Sequence, residues 1–510
     1  MIQRVIALGA IAGPLPKAGV VVVAVLAAVV LLVSRPRTRA LAMLAALVLA
    51  PVLLLADIWN SPQLRIAHRH PLLAVLAALV VLGATGGLAL VIRRRAPLMG
   101  FLAVLALPFR VPIQAGGTTS NLLVPLYLVV AAGSLAFIVP ALLSSDPESP
   151  EATHEAGWVE RLIALYVVLY GLQSVYSSDF EKALQQMVFF YVPFALLFVA
   201  LRRLEWTPRA LQSCLRLLIA LGVLFSAIGF VEYATKTIIL NPKLVVANDL
   251  HAYFTVNSVF FDPDIFGRFL ALVMILLATV LLYARRQREQ AGASAVLCVL
   301  WGGLVLTLSR SSLGALLLGL AVLAALRWRP GRALAIAGAV VALGAAAIVI
   351  SPKTFGLNQG FNGASSGRAG LVSGGLDLFG DRPLWGYGSG SFVSEYRAHH
   401  PRSSTLAASH TIPITVAAEQ GLIGELAYLA LVLAALTTLL RGARGDATRA
   451  AVGTAFLALV FHTMLYADFL EDPVTWALLG VGCALAARVG LERGGRREAA
   501  PAGGPAVAVA

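Results

Sequence analysis

A succession of apolar runs, each near the length of a bilayer crossing, fills most of this chain and fixes what it can fold into. A helix needs about 20 apolar residues to cross the hydrocarbon, and shorter runs are tolerated. On that criterion the spans are 18–33, 40–58, 71–92, 97–113, 121–143, 159–176, 183–201, 208–231, 264–284, 292–308, 311–326, 333–350, 413–440, 450–467 and 473–487. At 59% hydrophobic and 13% charged, against roughly 25% charged in an average soluble domain, the chain is not a water-soluble globule. The expected fold is an all-α polytopic membrane protein of about 12 to 15 transmembrane helices with one long outward-facing loop subdomain.

Arginine clusters recur at alternate connections: Arg35, Arg37 and Arg39; Arg93 to Arg95; Arg202, Arg203 and Arg209; Arg285, Arg286 and Arg288; Arg327, Arg329 and Arg332; Arg441, Arg444 and Arg449. By the positive-inside rule these connections are cytoplasmic. The net charge of +14 is therefore read as topological anchoring, and no nucleic-acid partner is expected. The parity places the N-terminus outside, with a membrane-bound start rather than a cleaved signal peptide. Cys214, Cys298 and Cys483 lie in apolar runs without a Cys-x-x-Cys neighbour, which supports neither a disulfide framework nor a thiolate metal site.

The chain divides into an N-terminal bundle (1–231), central spans with an outer connection (232–350, the connection being 232–263), a long outer loop (351–412), C-terminal spans (413–490) and a disordered tail (491–510). The acidic, Pro-rich 144–157 reads as a solvated cytoplasmic linker. The long loop is rich in Gly and Ser, carries Arg368, Arg382, Arg397, Arg402, His399, His400 and His410, and holds Phe379, Trp385, Tyr387, Phe392 and Tyr396. A loop of this length inside a compact protein is functional or disordered, and the aromatics argue for a folded one.

Four places could carry chemistry. The apolar segment 292–326 would be about 52 Å long as one helix, beyond a hydrocarbon core of about 30 Å, so it turns back at Ser309-Arg310-Ser311-Ser312. Arg310 at that outer hairpin is either a snorkelling helix-end residue or an anion clamp suited to phosphate. Arg268 follows Asp262-Pro263-Asp264, where an aspartate can cap a helix opened by proline and Asp264 can pair with Arg268. The same Asp262 and Asp264 also have the D-x-D spacing of a divalent-metal site. His410, just before a span opens, is either a hydrogen-bonded structural residue or a base. Arg368 and the run Gly386 to Gly390 are either loop geometry or a phosphate cradle.

The chain resembles the O-antigen ligase and polymerase family of bacterial membrane glycosyltransferases, with a GT-C-like architecture. The resemblance rests on four pieces: Phe261 to Arg268; Thr307 to Ser312; Gly367-Arg368 followed by Arg382 to Phe392; and Ser409-His410 followed by Glu419 to Gly424. It implies an enzyme of the bacterial cytoplasmic membrane that transfers a glycan from undecaprenyl diphosphate to an acceptor hydroxyl at the outer face. Implied partners are that lipid-linked donor, a glycan or lipid-glycan acceptor, and membrane lipids. It further implies work without a metal or other cofactor, Arg268, Arg310 and Arg368 on the diphosphate and His410 as base, with inversion following from attack opposite the leaving group. Asp262 and Asp264 stand where family members often have Asn-Pro-Asn, which keeps the metal alternative open. A polysaccharide polymerase of the same family and a lipid-linked glycan transporter are the alternative expectations.

Overall fold

A computed structural model describes residues 13–59, 68–115, 118–143, 156–250, 253–328, 368–401 and 409–498, with the isolated positions 331, 335 and 338. Most of the expected span 333–350, the linker residues 144–155, the loop residues 351–367 and 402–408, and 499–510 lie outside the described residues.

In chain order the helices are α1 (Pro14–Leu32), α2 (Pro36–Ile58), α3 (Pro71–Arg94), α4 (Pro97–Ala106), α5 (Val124–Leu143), α6 (Trp158–Ser174), α7 (Phe180–Arg202), α8 (Pro208–Thr235), α9 (Pro242–Leu250), α10 (Pro263–Tyr283), α11 (Gln287–Leu306), α12 (Arg310–Arg327), α13 (Arg368–Asp381), α14 (Phe392–His399), α15 (Ile412–Leu440), α16 (Ala447–Thr463) and α17 (Pro473–Glu498). Many open on proline, whose fixed φ suits the first turn and whose missing N–H has no intrahelical acceptor there anyway. Among the described residues ten helices are long and apolar enough to cross a membrane, and three shorter apolar helices accompany them. The chain is a multi-pass membrane protein.

Two expectations are corrected. The span expected at 97–113 stops at Ala106, because Pro108 lacks an N–H and its ring clashes with the carbonyl one turn back. The chain then forms, among the described residues, one hairpin, Val111–Ala115 (β1) antiparallel to Thr118–Leu122 (β2) with Val111 opposite Leu122. At the other end, α17 continues to Glu498, past the start expected for the disordered tail.

The helices pack as two adjoining cores. The first joins α1, α2, α5, α6 and α7 to α15 and α17, around Phe194, Phe198, Tyr428 and Trp476. The second sets α10 among α8, α11, α12 and α16, around Phe225, Phe260 and Phe266. α10 is far more enclosed than α8, α11 and α12, whereas α3 leaves most of its leucines and valines exposed, as a lipid-facing helix does. Over one end of the bundle α13 and α14 close a small core of Leu371, Leu378, Tyr387, Phe392 and Tyr396 onto Ala418 of α15. The Arg-rich connections that follow α10, α12 and α15 lie at the opposite end of those helices.

Candidate active site

The site is built where α10 and α12 begin. Asp262 caps α10, its carboxylate accepting from the Asp264 N–H at 2.7 Å, as the sequence reading allowed. Leu308, with φ +53, turns the chain out of α11, and Ser309 caps α12 through the Ser312 N–H at 3.2 Å. The serine hydroxyls then converge on Asp264. Ser309 Oγ and Ser311 Oγ donate to its Oδ1, the latter at 3.1 Å, and Ser312 Oγ donates to its backbone carbonyl at 3.2 Å. His462 of α16 brings Nε2 to 3.2 Å from Ser311 Oγ and 3.1 Å from Ser312 Oγ. Both hydroxyl protons point at Asp264, so the imidazole Nε2 is the donor.

The sequence reading allowed Arg268 to pair with Asp264; its partner is instead Asp472, at 2.7 Å, both side chains being at most 4% exposed. One guanidinium nitrogen, Nη1, is buried without a protein acceptor among the described residues. Asp264 pairs with Arg368, Nη2 to Oδ2 at 3.6 Å, while Arg368 Nη1 donates to the Leu465 carbonyl at 2.9 Å. Arg368 is half-buried and faces both protein and solvent.

His410 lies just outside α15 with φ +56, and its Nδ1 is buried without a protein partner among the described residues. Its ring stands 5.6 Å from Tyr466, which also stands 5.6 Å from His462. Burial first, and the Arg368 charge second, push the His410 imidazole below its ordinary value of 6.5, while Asp264 and Asp468 pull the other way. The ring is therefore neutral at neutral pH, with an acceptor nitrogen available. Burial first, then the Asp264 charge, raises the Asp262 carboxyl, while the nearby Tyr466 hydroxyl pulls it down. Burial and the Asp262 and Asp468 charges hold Tyr466 well above the ordinary phenol value, so it serves as a donor. Arg310, exposed at the first position of α12, adjoins the serines that reach Asp264.

Four of the expected residues, Arg268, Arg368, His410 and Asp264, thus join one charge cluster. Tyr466, His462, Asp468 and Asp472 complete it and were not picked out from sequence. Their signal was there: Phe461 to Pro473 places five side chains able to ionise between two short apolar runs.

The glycine run serves another purpose than a phosphate cradle. The N–H groups of Gly390 and Phe392 donate to the Glu419 carboxylate at 2.8 and 3.0 Å, and those of Tyr387 and Gly388 donate to the Ala418 and Glu419 carbonyls at 3.1 and 2.8 Å. Those amides are already satisfied by α15. Gly386 and Gly421 both have φ +65, and a Cβ on either would sit 2.4 Å from backbone of the opposite segment. The two strands of chain lock through each other's missing side chains. A third polar group lies deeper: Tyr170 donates to Gln186 Oε1, and Gln186 Nε2 donates to Glu471.

Beneath the cluster runs an apolar cavity of about 510 Å³, with Arg268 and Asp472 in its wall at one end and Tyr283 and Ala447 at the other. From Ile265 to Tyr283 the α10 wall is about 27 Å long at 1.5 Å per residue, close to a hydrocarbon core of about 30 Å. Among the described residues no group of three or more His, Cys, Asp or Glu is arranged to hold a metal. Asp262 and Asp264 spend their oxygens on Asp264 N, the Ser309 and Ser311 hydroxyls and Arg368.

Fold and site together define a polytopic membrane protein with a polar, charge-compensated cluster at one end of its helices and a bilayer-deep apolar cavity below it. Residues 295–429 match the family model for O-antigen ligase. Over that stretch the chain is similar to the O-antigen ligase family, and the match supports a membrane glycan-transfer, ligase-like function. The matched region contains Arg310, Arg368 and His410, and stops short of Asp472. No curated protein matches the chain.

Proposed function

We propose that this protein transfers a glycan from undecaprenyl diphosphate to an acceptor hydroxyl at the outer face of the bacterial cytoplasmic membrane, with inversion and without a metal. The observation that carries the reading is the junction of the apolar cavity with Arg268. A polyprenyl tail fits the bilayer-deep cavity, and the Arg268 Nη1 at its end, without a protein acceptor among the described residues, is a donor for a diphosphate oxygen. Arg368 and Arg310, at the exposed rim, supply further positive charge to the leaving diphosphate, where charge develops in the transition state. His410, neutral beside Arg368, takes the proton of the attacking hydroxyl. The sugar–phosphate bond breaks as the new glycosidic bond forms on the opposite face of the anomeric carbon, and the diphosphate leaves on its lipid.

The test is transfer from a synthetic undecaprenyl diphosphate oligosaccharide in nanodiscs, with donor binding measured separately. His410→Ala is expected to leave donor binding intact and abolish transfer; Arg310→Ala is expected to weaken donor binding as well. Full transfer by both variants would remove the assignment.

A further inference from the structure

α15 runs from Ile412 to Leu440 but is broken at Gly421, where φ is +65 and ψ −165. The part after the break, 422–440, is about 28 Å long at 1.5 Å per residue, one hydrocarbon thickness of about 30 Å. Its Leu422, Leu426, Leu429 and Leu433 are exposed, as lipid-facing residues are. The break therefore marks the level at which this helix leaves the bilayer. α6, which packs against α15, ends at Ser174 with Leu172, Val175 and Tyr176 exposed. Both markers touch the same short turn. Leu422 N–H donates to the Pro383 carbonyl at 2.7 Å, and the Tyr176 hydroxyl donates to the Trp385 carbonyl at 2.6 Å.

That turn, Arg382-Pro383-Leu384-Trp385, carries two large apolar side chains that are each 57% exposed, and with Tyr176 it surrounds an indentation of about 490 Å³. In water such a pair would be anomalous on an otherwise polar loop. Here it continues the lipid-facing stripe of Leu422 and Leu426. We propose that Leu384 and Trp385 insert into the outer interfacial layer of the bilayer, with Tyr176 beside them and the Arg382 guanidinium at the level of the lipid phosphates. Trp and Tyr favour that layer because one end of each is apolar and the other wet. Arg382 is kept there by the face of Tyr387, 4.3 Å from its centroid. The partner is the lipid surface itself, and the effect is to pin α13 and α14, hence Arg368, at a fixed height over the cluster.

The inference is independent of the catalytic reading and is tested without activity. A nitroxide is attached at Leu384→Cys or Trp385→Cys, with Cys214, Cys298 and Cys483 replaced by Ala, in nanodiscs of phosphatidylethanolamine and phosphatidylglycerol. Leu433→Cys is the lipid reference and Ala398→Cys, on the exposed side of α14, the water reference. Collision with oxygen relative to nickel(II) EDDA is expected to be several-fold higher at 384 and 385 than at 398, approaching 433. In the full chain with native cysteines, brominated lipids are expected to quench wild-type tryptophan fluorescence measurably more than that of Trp385→Phe. Ratios at 384 and 385 equal to that at 398, or identical quenching with and without Trp385, would overturn the proposal and leave the patch to a soluble partner or glycan.

Discussion

The Arg268–Asp472 pair gives the sharpest test of how the site is held. At 2.7 Å, with both side chains almost fully buried, the attraction at an effective dielectric of about 20 is about 6 kcal/mol. Part of that is offset by desolvation of the two ions. What a single truncation exposes is the cost of an abandoned buried charge, about 3–5 kcal/mol. Asp472 also caps α17, accepting the Val474 N–H at 2.9 Å, so Asp472→Ala loses about 1 kcal/mol more. Asp472→Asn keeps the cap and isolates the charge. The pair differs from a surface salt bridge in one further respect: replacing both partners by apolar residues of similar size, Arg268→Met with Asp472→Leu, removes the desolvation along with the attraction.

Equilibrium unfolding in mixed SDS micelles compares these variants with wild type. Asp472→Ala is expected to fall by about 4–6 kcal/mol, the combined cost of the orphaned charge and the lost cap. Asp472→Asn is expected to fall by about 3–5 kcal/mol. The double variant is expected within about 1 kcal/mol of wild type, the residue being the lost cap. The folded double variant is also expected to lose glycan transfer, since the diphosphate then has no Arg268. Wild-type stability in Asp472→Asn would refute the burial on which the energetics stand. A stable double variant with full transfer would refute the role of Arg268.

Other consequences follow from the same contacts. Arg368 lowers the His410 imidazole, so removing that cation lets the protonated form gain ground; Arg368→Ala is expected to move the acidic limb of the pH–rate profile to higher pH, toward 6.5, and an unmoved limb would separate the two residues. Gly386→Ala and Gly421→Ala each add about 1–2 kcal/mol of left-handed backbone cost to a Cβ 2.4 Å from backbone, and gel filtration of the solubilised protein is expected to show little folded material for either. Glu419→Ala orphans the Gly390 and Phe392 amides, at about 1–3 kcal/mol each; limited proteolysis is expected to cut the 382–400 segment faster than in wild type. Because the Asp262 and Asp264 oxygens are engaged within the protein, EDTA is expected to leave transfer unchanged, whereas loss restored by Mg or Mn would return those carboxylates to a metal.

Span positions were legible because length and hydropathy decide them locally: the boundaries of α2, α5, α8 and α10 through α12 fall within a few residues of the apolar runs. The hairpin was not, because Val111 and Leu122 are apolar whether they are in a helix or in a strand, and only Pro108 and Pro112 mark the difference. For the site, residue type was legible and pairing was not. Arg268 sits one turn after Asp264, the spacing of a local helix pair, yet it turns to Asp472 across the bundle while Asp264 turns to Arg368. Local spacing ranks the near partner first. Only the packing of α10 against α16, from whose end the chain turns into α17, brings the distant partner closer.

That exchange of partners bears on how the site works. Had Arg268 paired with Asp264, its guanidinium would lie along its own helix and its free edge would face the serine turn. Paired with Asp472 instead, it spans from α10 to the start of α17, and the edge bearing Nη1 is left without a protein acceptor among the described residues, in the wall of the cavity. Asp264, released from Arg268, is left to gather Ser309, Ser311 and Arg368. One aspartate thus holds the buried cation at the cavity end, the other holds the rim cation, and His410 stands between Arg368 and Tyr466. The two cations, one buried and one half-exposed, are fixed by separate anchors, which is the arrangement the proposed lipid diphosphate donor, with one end in the bilayer and the other at its surface, would require.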